Sequence, residues 1–136
     1  RWCRALEQAS DACSNASALV RLWLHEGLRL FADRLPEMTD VATCDEALRS
    51  IARKRFPVSS EALEPPLLYG RWLSKQYAPT SLSKLRRFVA SRLRTFHEEC
   101  LDVPLVVFDD VARHALRIDS VLCQCPSIRT GDTFSN

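Results

Sequence analysis

ASALVRLWLHEGLRLFADRL, running from Ala16 to Leu35, is the stretch whose reading decides the fold class. Val20, Leu24, Leu28, Phe31 and Leu35 recur every three or four positions, which is one face of a helix. Leu19, Trp23 and Leu30 widen that stripe, and a stripe this wide buries against more than one neighbour. Arg21, His25, Glu26, Arg29, Asp33 and Arg34 fill the remaining positions. Glu26–Arg29 and Arg29–Asp33 are spaced for helical ion pairs, each worth a few tenths of a kcal/mol. Ser14 and Asn15 supply capping oxygens ahead of the helix, and Pro36 stops it.

Working outward, the N-terminal side repeats the period. Trp2, Leu6, Ala9 and Cys13 share one face of a helix expected to reach about Cys13. On the C-terminal side a further helix is expected over Asp45 to Arg55, capped by Thr43, with Ala47, Leu48, Ile51 and Ala52 inward. Arg53, Lys54 and Arg55 suit the negative end of its dipole, and Phe56-Pro57 ends it.

Residues 57–80 hold Pro57, Pro65, Pro66 and Pro79 with Ser59, Ser60 and Gly70, the composition of an extended connection. Leu67, Leu68, Tyr69, Trp72, Leu73 and Tyr77 require that this loop be ordered and lie against a surface. A long helix follows over Ser81 to Glu99, burying Leu82, Leu85, Val89, Leu93 and Phe96 beside Phe88. Lys84, Arg86, Arg87, Arg92 and Arg94 face outward on it. Such a basic face is more often simply solvated than a phosphate site. Val103 to Phe108, VPLVVF, reads as a strand or a buried extended segment. Asp109 and Asp110 provide an N-cap and favourable charge for a last helix carrying Val111, Ala115, Leu116, Ile118 and Leu122. The tail CQCPSIRTGDTFSN has no periodicity and is expected to fray. The fold class is thus mainly α: a helical bundle, a proline-containing ordered loop, a long helix, a short extended segment and a final helix.

Composition narrows the function classes. With 136 residues the chain is about one domain, and its 46% hydrophobic and 26% charged content is that of an ordinary globular protein. No apolar run approaches the roughly 18 residues a membrane span needs, so membrane insertion is not expected. Nineteen basic and 17 acidic residues leave a formal charge of +2, which does not call for nucleic acid. Gly27, Gly70 and Gly131 stand far apart, so neither G-x-x-x-x-G-K-[ST] nor G-x-G-x-x-G occurs. The chain opens at Arg1, its one methionine is Met38, and no secretory leader precedes it; it reads as a piece of something longer.

Chemistry-bearing residues are sparse. Among the six cysteines, at 3, 13, 44, 100, 123 and 125, only Cys123 and Cys125 are close, and no second pair completes a zinc site. Reduced, structural thiols are the expectation, as is a cytosolic setting in which the Asn15-Ala16-Ser17 glycosylation pattern means little. His25-Glu26 fails the H-E-x-x-H pattern because position 29 is Arg29. His25, His97 and His114 take surface or boundary roles on this reading, and Asp109-Asp110 is explained by a helix start without a metal. No nucleophile–base arrangement is visible, so no catalytic residue is assigned. Trp2, Trp23 and Trp72 are expected to be core anchors.

Three stretches carry something more specific. LVRLWLHEGLRLFADRL (Leu19 to Leu35), LLYGRWLSKQY (Leu67 to Tyr77) and LDVPLVVFDDVARHALRIDSVL (Leu101 to Leu122) closely resemble the cytoplasmic dynein heavy chains. The opening Arg1-Trp2 and RLRTFHEE (Arg92 to Glu99) fit the same pattern in the same order. The resemblance implies that residues 1–66 are the helical lid of the third AAA+ module of a motor ring. Residues 67–122 would connect into the start of the fourth module, and 123–136 form a divergent tail. It further implies that Pro104, Leu105, Val106, Val107 and Phe108 line an adenine pocket, with backbone groups reading the base edge and apolar side chains covering its faces. A plain buried strand explains the same residues equally well. After RIDSVL the family continues into an apolar strand and a G-x-x-G-x-G-K-T loop; CQCPSIRTGDTFSN stands there instead. The expectation is therefore no cofactor for the segment alone, and ATP or ADP with magnesium in the parent, a microtubule-motor ATPase.

The implied partners are neighbouring AAA+ modules of the same heavy chain. Through the parent they extend to dynein intermediate, light intermediate and light chains and microtubules, in a cytoplasmic, cytoskeleton-associated setting. The alternative is a free-standing helical adaptor that uses the 57–80 loop or the basic 84–94 helix face. Exposed loop aromatics would favour the adaptor, and burial of Tyr69, Trp72 and Tyr77 the lid.

Overall fold

A computed structural model of the protein describes residues 2–9, 13–74, 76–99 and 106–123. Five helices and one two-stranded ribbon make a mainly α architecture: α1 (Trp2–Gln8), α2 (Ala16–Phe31), α3 (Met38–Arg55), β1 (Tyr69–Gly70), β2 (Ala78–Pro79), α4 (Leu82–Glu99) and α5 (Asp109–Leu122). Short 3₁₀ turns lie at Ala32–Arg34 and Ser60–Leu63. The chain divides into two compact units, Arg1–Ser81 and Leu82–Asn136, so residues 67–81 pack with the first unit.

Helix α2 starts where its cap predicts. Asn15 is extended, and its side chain accepts the Ala18 N–H at 2.8 Å. Pro36 bars Leu35 from helical geometry, leaving it at φ −86°, ψ 126°, and the last turn tightens into 3₁₀ form. Helix α3 begins at Met38, well before the expected Asp45. Its first turns are exposed, so no apolar period marks them, and Thr43 is no cap: its hydroxyl donates to the Thr39 carbonyl at 2.9 Å. The inward face also differs. Cys44, Leu48 and Ala52 pack inward, whereas Ala47 and Ile51 are exposed.

In the first unit α2 is the central helix. One side packs Leu22 with Ala5 and Ala9 of the N-terminal segment and with Tyr69 and Tyr77 of the loop. The other packs Val20 and Leu24 with Leu48, Ala52 and Leu63. Trp2 and Trp23 stack with ring centroids 5.8 Å apart, and the Trp2 indole N–H donates to the Trp23 carbonyl at 3.2 Å. All three tryptophans are half-buried rather than fully enclosed, and Leu6, Leu19 and Phe31 of the expected stripes are exposed.

In the second unit α4 and α5 pack together, with Leu85, Ala112 and Leu116 buried. The basic side chains of α4 are exposed as expected, but so is Phe96. The N-cap of α5 is Phe108, with Asp109 and Asp110 already inside the first turn. Their charge suits the positive helix end, but neither caps it. The described part of the expected strand, residues 106–108, is not in a strand, and Val106 and Phe108 are exposed rather than buried. Pro104, Leu105 and the 124–136 tail lie outside the described residues.

Candidate functional site

The polar residues of α2, which fill the positions beside its apolar stripe, form the most elaborate cluster among the described residues. The Arg21 guanidinium donates through Nη1 to the carbonyls of Ala62 and Glu64, both at 3.0 Å, and through Nη2 to Pro66 at 2.8 Å. A fourth carbonyl, of Glu61, lies 3.5 Å from Nη1. Arg49 of α3 approaches the same turn, donating through Nη1 to the Leu63 carbonyl while its Nε holds Asp45 at 2.8 Å. A planar five-donor fork suits this task, because one side chain satisfies several carbonyls of a tight turn at once.

One turn along α2, His25 lies 2.8 Å by Nδ1 from the Leu67 carbonyl, which requires the proton on Nδ1. The neighbouring Glu26 is 1% exposed, and its carboxylate accepts the Tyr77 hydroxyl at 2.7 Å. Tyr69 and Tyr77 are buried and their rings lie 5.8 Å apart, with the His25 ring 5.1 Å from Tyr69. Burial pushes the Tyr69 phenol up to about 12, with the nearby Arg21 charge opposing the shift. Beside Tyr69, burial also pushes the Cys13 thiol up, as befits a structural thiol. Cys3, Cys13 and Cys44 are unbridged.

The loop is thus fastened by one helix at three successive points. Sequence reasoning left Arg21, His25 and Glu26 at the positions beside the apolar stripe, with His25 in a surface or boundary role, and missed all three roles. A signal was present: Leu22 and Glu26 share a helical line, so a face that buries one draws in the other.

A second feature belongs to the second unit. An open groove of about 850 Å³ runs beside α4, with Arg86, Arg87 and Arg94 on its walls and Leu93, Val106 and Val107 as apolar lining. Arg86 also reaches Asp109 at 3.4 Å. Of the expected adenine segment, Val106 and Val107 line this groove, with Glu98 as well as the arginines alongside. Among the described residues no group of three or more His, Cys, Asp or Glu side chains gathers as metal ligands, and no helix is long and apolar enough to cross a membrane.

Residues 1–40, which carry α1, α2 and the start of α3, match the family model described as dynein heavy chain, ATPase lid domain. The chain is 49% identical over 128 residues to the cytoplasmic dynein heavy chain of Dictyostelium discoideum, covering 91% of this chain and 3% of that protein. It is 46% and 44% identical over 128 residues to those of Neurospora crassa and Drosophila melanogaster, again with 91% and 3% covered. The chain spans about 3% of the length of these relatives. With the lid model over residues 1–40 and 44–49% identity over 128 residues to these heavy chains, the chain belongs to the dynein heavy chain family.

Proposed function

We propose that this segment is a structural lid and inter-module element of a dynein heavy chain, an ATP-driven, minus-end-directed microtubule motor. The observation that carries the reading is the clamp: Arg21, His25 and Glu26 fasten residues 61–77 onto α2, so the lid helices and the loop after them form one compact body. A body held by buried polar contacts and packed apolar faces moves as a unit when a ring module closes, and passes that motion to the next module. Its partners are neighbouring modules of the same heavy chain. The intermediate, light intermediate and light chains and microtubules engage the parent elsewhere, in the cytoplasm.

The nucleotide is ATP or ADP with magnesium, held mainly by residues outside this segment, and it supplies the phosphoryl chemistry of the parent. In this reading the segment contributes to its base end. Pro104, Leu105, Val106, Val107 and Phe108 are the adenine segment of this reading, and Val106 and Val107 line a groove that also carries Arg86, Arg87, Arg94 and Glu98. The adaptor reading is not favoured, because the loop aromatics Tyr69 and Tyr77 are buried and Trp72 is half-buried.

The test uses a full-length heavy chain carrying this sequence. Arg21→Ala combined with Tyr77→Phe loosens the clamp, and microtubule gliding is expected to slow several-fold while nucleotide still binds the ring. Gliding at the unmodified speed would overturn the lid reading.

A further inference from the structure

Between α1, α2 and the C-cap of α3, the first unit leaves a cavity of about 180 Å³ that the loop clamp does not use. Its floor is Val20 and Leu22, each 1% exposed. Trp2, Trp23 and Phe56 wall it, and Leu6 and Leu19, each 40% exposed, stand at its mouth. Helical spacing accounts for the grouping. Trp2 and Leu6 are four apart in α1, and Leu19 and Trp23 four apart in α2, so each pair projects from one face of its helix.

The lining fixes the chemistry of what the cavity takes. None of its side chains is charged and its surface is almost wholly carbon, so an ion would lose its water with nothing to answer it. The Trp2 indole N–H is already directed to the Trp23 carbonyl at 3.2 Å. The walls are aromatic. Trp2 and Trp23 lie 5.8 Å apart with 17° between their planes, and Phe56 tilts 59° to Trp23 at 5.6 Å. Such faces and edges attract a further ring by more than buried area alone gives. Size completes the argument. Apolar cavities of roughly 150 Å³ stay dry and take up benzene, so about 180 Å³ suits one ring with a small substituent.

We propose that this cavity is a binding site for a neutral, single-ring aromatic small molecule, held against the Trp2, Trp23 and Phe56 rings. The inference stands apart from the lid reading, because every wall is a side chain of the first unit and the site needs no motion of a ring.

Photolabelling of a full-length heavy chain carrying this sequence with a phenyl diazirine tests it, the labelled peptides being mapped by mass spectrometry. The expected result is labelling within residues 2–23 or at Phe56, reduced several-fold by excess toluene and not given by a carboxylate-bearing form of the same diazirine. Leu19→Trp fills the mouth with an indole and should lower the labelling several-fold; Leu6→Trp, from the other helix, should do so independently. A cavity left unlabelled, as it would be if other parts of the heavy chain plugged it, overturns the proposal. So does labelling that toluene does not compete, that the carboxylate probe gives equally, or that both tryptophan variants leave unchanged. The toluene competition needs no substitution, so a variant that fails to fold leaves the test standing.

Discussion

Glu26 shows what a single buried charge asks of its surroundings. An enclosed carboxylate is costly unless hydrogen-bonded, and the Tyr77 hydroxyl answers it from 51 residues away. Tyr77→Phe keeps the ring and deletes that donor, so a loss of about 1–3 kcal/mol is expected from urea unfolding. Glu26 was not legible as a buried group, since helical spacing assigns a face by side-chain type and its partner lies far along the chain. The same holds for Arg21, whose carbonyl partners begin 40 residues later. Tyr69 gives a pH signature. Its folded phenol ionises at about 12, above the ordinary value near 10, so folding favours the neutral form. That contribution is complete below pH about 10 and is lost as pH rises through about 12. Tyrosinate absorbance followed in the folded protein should show a late step that Tyr69→Phe removes; a titration complete near pH 10 would contradict the burial.

Elements show where periodicity succeeds and where it stops. In α2 Gly27 sits mid-helix beside Leu48 of α3 and the Trp2 ring: a Cβ there would meet Leu48 Cδ1 at 3.4 Å and the Trp2 ring at 3.8 Å. Those are ordinary contact distances. Gly27→Ala should therefore stabilise by about 0.5–1 kcal/mol, through lower chain entropy and better helix propensity, read as a raised thermal midpoint. In α3 the spacing alone put Ile51 and Leu48 on one inward face, yet only Leu48 is buried. Leu48→Ala is expected to cost about 2–4 kcal/mol, and Ile51→Ala much less, on the same unfolding curves. Equal losses would restore the face assigned from spacing. The early start of α3 escaped notice because its first turns bury nothing, and a helix that buries nothing leaves no stripe.

For the molecule as a whole, two compact units share one chain, and all three tryptophans, Trp2, Trp23 and Trp72, lie in the first. Tryptophan fluorescence therefore reports that unit, while far-ultraviolet dichroism sums the helices of both. Leu24→Ala, at a fully buried site, should shift the fluorescence transition by about 2–5 kcal/mol and move the dichroism only in part. Identical shifts by both probes would mean a single cooperative unit. The sequence by itself determined the mainly α class, the Asn15 cap, the Pro36 stop, the ordered loop and, through its quoted stretches, the family. Those features are local: capping, proline geometry and apolar period act within a few residues. Tertiary structure alone decided that Arg21, His25 and Glu26 clamp a loop, that Ile51 faces water, and that Trp2, Trp23 and Phe56 wall an apolar cavity. Each depends on what the fold brings beside a side chain, and burial of a polar group is settled by a partner that spacing does not contain.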